Sequence, residues 1–447
     1  MWKLCIKNFV RTSVAQVGIS AVLIAGIISL LIGRQHLVKQ QEAVKQTTIA
    51  QNEHIKRNKE FFSSELGLLF YYLKFSLVNE LDPINGLSIG QRDVNPSIQS
   101  VTIRNLENQR YDTDLYNPAV LHAGNLDLSF VLLYLFPLLI IASCYTVLSA
   151  DKEAGTWNMT RVQARKPAAL IWKSLVIRMG FVFSVFFLLI GLAFVLLPLS
   201  INYRFLLFVG TGMAYLLFWF GLCAFIISLN KNSSTNAILL LGCWILLAII
   251  LPAGVNNYLT NRYPVPEALS TMVEQREAYH EKWDMEKTPT LKAFYKVYPD
   301  YEKYGYPQES FSWLWYYAMQ HMGDEESKVH TESFMSKLAK REAVARSISF
   351  FIPTLHTQHQ FNTLAKAGLE NHLLFLKETA NFHESVRKKV YPLIFENKQV
   401  DEVDWQALAV RKVEQNNQPD WLHVFLPFLV FILMLFGVSL KRMHSMA

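Results

Sequence analysis

Ser149 to Lys173 reads SADKEAGTWNMTRVQARKPAALIWK, and the fold turns on what flanks it. On one side runs Leu128 to Leu148 and on the other Leu175 to Leu199, both apolar and almost free of ionisable side chains. A hydrocarbon core of about 30 Å needs about 20 apolar residues in a helix, and both flanks meet that length. Four further runs also do: Ser13 to Gly33, Phe205 to Leu229, Thr235 to Val255 and Trp421 to Leu440. The expected fold is a polytopic α-helical membrane protein with six transmembrane helices, in which the quoted stretch is a short polar loop between the second and third.

Composition agrees, since 51% of the 447 residues are hydrophobic and only 18% charged, an apolar balance for a soluble chain. A net charge of +7 does not point to nucleic acid, because the basic residues are spread along the chain without a nucleic-acid motif. Orientation follows from the short loops, where cytoplasmic sides collect Lys and Arg. Lys3, Lys7 and Arg11, then Lys152, Arg161, Arg165, Lys166 and Lys173, then Lys231, then Lys441 and Arg442 fall on one side, whereas Ser200 to Arg204 offers the other only Arg204. Both termini are thus expected in the cytoplasm and two long insertions outside it.

The expected organisation is an amino-terminal helix and first span (1–33), a first outer domain (34–127), spans two to five with the loop 149–173 (128–255), a second outer domain (256–420), and a last span and tail (421–447). In the amino-terminal helix, Trp2, Cys5, Ile6, Phe9 and Val10 share one face and Lys3, Lys7 and Arg11 another. It reads either as an interfacial helix on anionic lipid or as the charged flank that orients the first span. The first insertion begins with a polar helical stretch, Gln40 to Glu60. The aromatic run FFSSELGLLFYYLKF follows, too short for a span and expected as helix; Ile98, Val101 and Ile103 alternate as a short strand would. The second insertion is mainly helical in pattern, with breaks expected near Pro289, Pro299, Pro307, Pro353, Pro392 and Pro419 and a core expected from Phe311, Trp313, Trp315, Tyr316 and Tyr317. Neither holds a cysteine or an Asn-x-Ser/Thr acceptor site, which favours a bacterial chain.

Most chemistries lack their residues. The P-loop pattern G-x-x-x-x-G-K-[ST] is absent, so any ATP that drives this chain binds another polypeptide. His383-Glu384 lacks the second histidine of a zinc-protease helix, and His356 and His359 lack a third ligand. No buried carboxylate suits a coupling ion. Arg178 is the one charge inside a span, readable as a functional charge or as a side chain snorkelling to the interface.

Within the quoted loop, charge runs from the acidic Asp151 and Glu153, across Gly155-Thr156, to Arg161, Arg165, Lys166 and Lys173. At these residues the chain resembles the permease subunits of ABC-2 type transporters, whose loop between spans two and three carries an acidic-x-Glu-x-Gly-Thr element followed by basic residues. It looks most like a bacterial subgroup with two large extracytoplasmic insertions. Further matching text includes Gly90, Arg92, Asp93, Pro96, Asp127 and Phe130 in the first insertion and Tyr298-Pro299, Pro353, Ala367-Gly368, His372 and Tyr391-Pro392 in the second. Trp157 and Leu369 depart from the pattern, where leucine and threonine are usual. The resemblance implies a transport subunit, not itself an enzyme, in the bacterial inner membrane. Its loop docks on cytoplasmic ATPase subunits, which hold the ATP and Mg; it pairs with a second permease copy or a paralogue, and an extracytoplasmic partner protein is open. It implies no cofactor of the chain's own. A membrane-anchored sensor or scaffold without an ATPase is the alternative.

Overall fold

The computed structural model describes residues 2–110, 125–164, 166–265, 283, 285–414 and 419–445. After α1 (Trp2–Val10), six helical stretches among these residues are long and apolar enough to cross a membrane. The first is α2 (Ile19–Phe61), entered through a π-turn at Val14–Gly18. The second joins α5 (Leu128–Phe130) to α6 (Phe136–Cys144) through a π-turn at Val131–Leu135. Then come α9 (Pro167–Leu196) and α10 (Tyr203–Ser228), followed by α11 (Ser233–Ile245), which continues into α12 (Leu251–Arg262) through a third π-turn, Leu246–Ile250. The last is α17 (Trp421–Ser445).

Two π-turns sit immediately before Pro137 and Pro252. Proline has no N–H to give to the carbonyl four residues back, and its ring crowds that carbonyl, so the helix widens there. In the first case the freed carbonyl is that of Leu133, and it accepts the Tyr215 hydroxyl of α10 at 2.9 Å. Pro198, by contrast, lies beyond the end of α9, and Pro427 lies inside α17.

The expected boundary at residue 33/34 does not exist. α2 runs on for 43 residues, about 65 Å at 1.5 Å per residue, twice a hydrocarbon thickness. Gly33 marks not an end but a close approach, since a Cβ there would lie 1.8 Å from the Gly86 carbonyl oxygen.

Beyond the apolar bundle, the two insertions form one polar body instead of two separate domains. The aromatic run ends in a strand, not a helix: α3 (Leu66–Tyr72) gives way to β1 (Phe75–Asn79), which is buried along its whole length. A strand with no exposed edge needs a partner on each side. β2 (Ile98–Val101) pairs antiparallel with it, Phe75 opposite Val101, and β3 (Arg411–Val413) from the second insertion pairs parallel, Leu77 opposite Arg411. One core follows, in which Phe70, Phe75 and Val101 pack with Phe294, Trp315, Tyr317 and Tyr391. Of the expected aromatics only Phe311 stays outside, 41% exposed.

The second insertion supplies α13 (Lys287–Val297), α14 (Trp313–Ser349), α15 (Pro353–Leu364) and α16 (Leu369–Phe395). Pro289 falls in the first turn of α13 and Pro392 in the last of α16, so neither breaks its helix; a first turn donates no N–H within its own helix. α15 returns to the apolar bundle. Its Phe361 stacks on Phe208 of α10 at 4.3 Å, Thr354 and Tyr215 share a hydroxyl contact of 3.2 Å, and His356 Nε2 lies 3.0 Å from the Val424 carbonyl of α17. The first insertion meets the segment after α15, where Gln91 donates its backbone N–H to the Ala367 carbonyl (2.8 Å) and buried Arg92 donates to the carbonyls of Lys366, Asn79 and Glu80.

Candidate coupling loop and amino-terminal helix

The loop forms two short helices, α7 (Ser149–Glu153) and α8 (Thr156–Gln163), at the end of the bundle opposite the polar body. Gly155 between them has φ +72°, with nothing among the described residues within 4 Å of where a Cβ would stand. Glycine is there for the left-handed turn, which costs other L-residues about 1–2 kcal/mol. Thr156 Oγ1 closes the turn by donating to the Asp151 carbonyl at 3.0 Å.

Glu153, although exposed, reaches across to the turn that precedes α11. Its carboxylate accepts from the Ser233 backbone N–H at 2.6 Å and from Ser233 Oγ at 2.8 Å, satisfying a donor that a helix start leaves unpaired and matching the positive end of the helix dipole. Ser149 Oγ lies 2.7 Å from Ser233 Oγ, and Asn236 Nδ2 donates to the Tyr145 carbonyl at 3.2 Å. Lys152 bonds to the Asn230 side-chain oxygen and lies 5.9 Å from the Trp157 ring centre. Trp157 itself is 8% exposed, in one core with Leu148, Ala168 and Ile171. The loop is thereby latched to residues 230–236, and the Trp in place of leucine is a core residue.

What remains on the surface is a different set from the one charge alone suggested. Asp151, Glu153, Gly155, Thr156, Arg161 and Lys166 are exposed, Lys173 is half-buried on α9, and Arg165 lies outside the described residues. Two apolar side chains join them, Met159 at 67% and Val162 at 87% exposed. Trp157, Thr160 and Ala164 face the protein at helical spacing, which turns 159 and 162 outward. That periodicity was readable in the sequence and is masked there by the more conspicuous charges.

The amino-terminal helix α1 shows Trp2, Ile6 and Val10 on an exposed apolar line, with Lys3, Lys7 and Arg11 exposed beside it. Phe9 departs from the expected face. It is buried against α9, 5.3 Å from the Phe181 ring and 5.2 Å beneath the Arg178 guanidinium. Arg178 is engaged within the protein: it donates Nε to the Ser143 carbonyl at 2.7 Å and Nη1 to the Ser174 carbonyl at 3.1 Å. Ser143 is at the end of α6, where carbonyls lack helical partners, so Arg178 ties α6, α9 and α1 together. His356 and His359 diverge instead of sharing a ligand. His356 is buried toward Val424, and His359 Nδ1 lies 3.3 Å from Glu342; burial, then Arg346, pushes His359 down to about 4.

A family model described as a Domain of unknown function (DUF3526) matches residues 269–410, a range that takes in α13 to α16. No curated protein and no solved structure matches the chain.

Proposed function

We propose that this chain is the membrane-embedded permease subunit of an ATP-driven ABC-2 type transporter, in which the loop 149–173 is the docking element for a separate ATPase. The observation that carries the reading is the exposed patch of Asp151, Met159, Arg161, Val162 and Lys166, held on a latched helix pair in a chain without a P-loop. Hydrophobic anchors ringed by charge are what a protein contact requires, whereas a loop that only obeyed the positive-inside tendency needs neither. On this reading the loop, α1 and both termini face the bacterial cytoplasm and the polar body faces outward. A second permease subunit completes the assembly, and ATP with Mg stays on the partner.

Closure of the ATPases would displace α8. Glu153 passes that movement to α11 through Ser233, Trp157 passes it to α9, and α2 and α15 connect the bundle to the polar body. Export and mechanical work on an outer partner are both served by such a two-state linkage. The test places a photo-crosslinking amino acid at Val162 in native membranes. A P-loop ATPase in the adduct, its recovery cut at least tenfold by Arg161→Glu together with Met159→Asp at unchanged melting temperature, is the expected result. Adducts free of any ATPase would exclude the permease reading and favour the sensor or scaffold.

A further inference from the structure

α14 and α16 run antiparallel. Arg346 pairs with Glu370 at one end, and Arg387 pairs with Asp324 at 2.8 Å at the other. Between these ties the helices part, and with the short helix α4 (Glu107–Arg110) they line a cleft of about 950 Å³. Its middle is apolar, with Met335, Ala339 and Ala343 on α14 and Leu373 and Leu374 on α16, and Ala339 and Ala343 are open to solvent.

The wall near α4 carries an unusual burden. Among the described residues, four buried polar atoms of this wall have no hydrogen-bond partner of normal geometry: Glu107 Oε2, Arg110 Nε, His321 Nε2 and Thr331 Oγ1. None of these residues is more than 6% exposed. Thr331 lies near Glu107 without a hydrogen bond of normal geometry between them. Native proteins leave few such atoms, because each costs about 1–3 kcal/mol, so four around one cleft mark groups that another molecule satisfies.

The remaining bonds of these side chains define what they present. Glu107 Oε1 is occupied by Arg110 Nη1 at 2.9 Å, which leaves Oε2 as an anionic acceptor. Arg110 Nη2 donates to the Leu376 carbonyl at 3.3 Å, which leaves Nε–H. Arg387 can only donate, and it meets His321 at Nδ1 (3.2 Å), so the ring hydrogen is assigned to Nε2. Burial, then Arg387, pushes His321 down to about 3, and the ring is neutral. The nearest acid to Nε2, Glu325, is 3.9 Å away. The wall of the cleft therefore holds, just beneath its surface, one anionic acceptor, two donors and a hydroxyl beside an apolar strip.

Charge along the lining nearly cancels, seven acidic side chains against six basic ones, so neither a polyanion nor a polycation is favoured. The strip from Met335 to Ala343 covers about 12 Å of helix and ends in ion-paired residues, so it holds an apolar side chain and not a membrane acyl chain that spans half of a ~30 Å core.

We infer that the cleft between α14 and α16 is a binding site for short zwitterionic peptides: the peptide ammonium meets Glu107 Oε2, its carbonyl or carboxylate oxygens meet Arg110 Nε and His321 Nε2, and an apolar side chain lies between Met335 and Leu374. This site goes beyond the permease reading and does not depend on it.

The test uses the full chain in lipid nanodiscs with a mixed tetrapeptide library, retained peptides being identified by mass spectrometry and the best one titrated by calorimetry. Expected are retained peptides with a free amino terminus and a large apolar side chain, binding at least tenfold weaker after N-acetylation. Ala339→Trp, which fills the strip from its solvent-open side, is expected to weaken binding at least tenfold at an unchanged melting temperature, and Glu107→Gln to weaken free peptides but not acetylated ones. No retained peptide, or binding indifferent to both N-acetylation and Ala339→Trp, overturns the proposal. So does a co-purified lipid that Ala339→Trp displaces.

Discussion

Arg387→Met tests how the polar body is held together. Arg387 is 2% exposed, yet it makes four contacts from α16: Nη2 to Asp324 at 2.8 Å, Nη2 and Nε to the Arg104 and Ile103 carbonyls at 2.7 and 3.0 Å, and Nη1 to His321. Asp324 also accepts the Leu106 N–H at 2.8 Å, so this one cluster joins both long helices to the first insertion. Burial works against the Arg387 charge, and Tyr391, Asp324 and Glu384 more than offset it. At Asp324 burial pushes the carboxyl up, and Arg387 and the Leu106 N–H pull it back only in part. Methionine keeps most of the side-chain volume and leaves Asp324 buried without its counter-charge, which costs about 3–5 kcal/mol. At roughly 2–4 °C per kcal/mol for a unit of this size, the melting transition of the full chain, followed by fluorescence of Trp313, Trp315 and Trp405 around that core, falls by roughly 6–20 °C at pH 8.

The pH dependence supplies the sharper test. A carboxyl raised in the folded state opposes folding once pH exceeds its unfolded value, about 3.9, and the opposition grows until pH passes the folded value. Removing Arg387 raises the folded value further. The variant's deficit relative to the parent must therefore shrink as the pH is lowered from 8 toward 4.5, because protonation relieves the orphaned charge. Arg387→Met combined with Asp324→Asn removes the orphaned charge and should recover part of the loss while abolishing its pH dependence. A single-variant deficit below 1 kcal/mol, or one equal at pH 8 and pH 4.5, would refute the reasoning.

Further outcomes follow from the joints. Gly33→Ala drives a methyl into the Gly86 carbonyl and should lower stability by about 1–3 kcal/mol, the usual cost of overpacking, read as a lower melting temperature in detergent. Phe208→Leu and Phe361→Leu should couple by about 0.5–1.5 kcal/mol in a double-mutant cycle; additive losses would mean that α15 does not rest on α10. Glu153→Gln should loosen the latch to Ser233, measured as faster tryptic cleavage after Arg161 with the melting of the polar body unchanged. For the same reason Glu153→Arg is a poor probe of docking, since it disturbs the loop before any partner arrives.

Which parts of this were legible in the sequence follows from how local each signal is. Six apolar runs announced six helices because hydropathy over 20 residues needs no partner, and Gly155 announced its turn because φ > 0 is a one-residue property. The end of α2 was illegible, since a polar helix following an apolar one breaks neither helical period nor propensity. β1 was hidden by its burial on both faces, which replaces alternation with a continuous apolar run that a helix could equally show.

At the loop, the sequence by itself determined the acidic-to-basic order, the Gly-Thr turn and the placement between two apolar runs. Only the tertiary structure decided that Glu153 bonds to Ser233 and that Trp157 belongs to the core, which fixes the face of α8 that turns Met159 and Val162 out beside Asp151 and Arg161. The same division holds for the polar body, where helices were readable within each insertion but the shared sheet and the cleft between α14 and α16 were not. The physical reason is common to both: propensity and periodicity act over a few residues, whereas a helix cap or an unpaired strand edge takes its partner from 80 or more than 300 residues away, and only packing selects it.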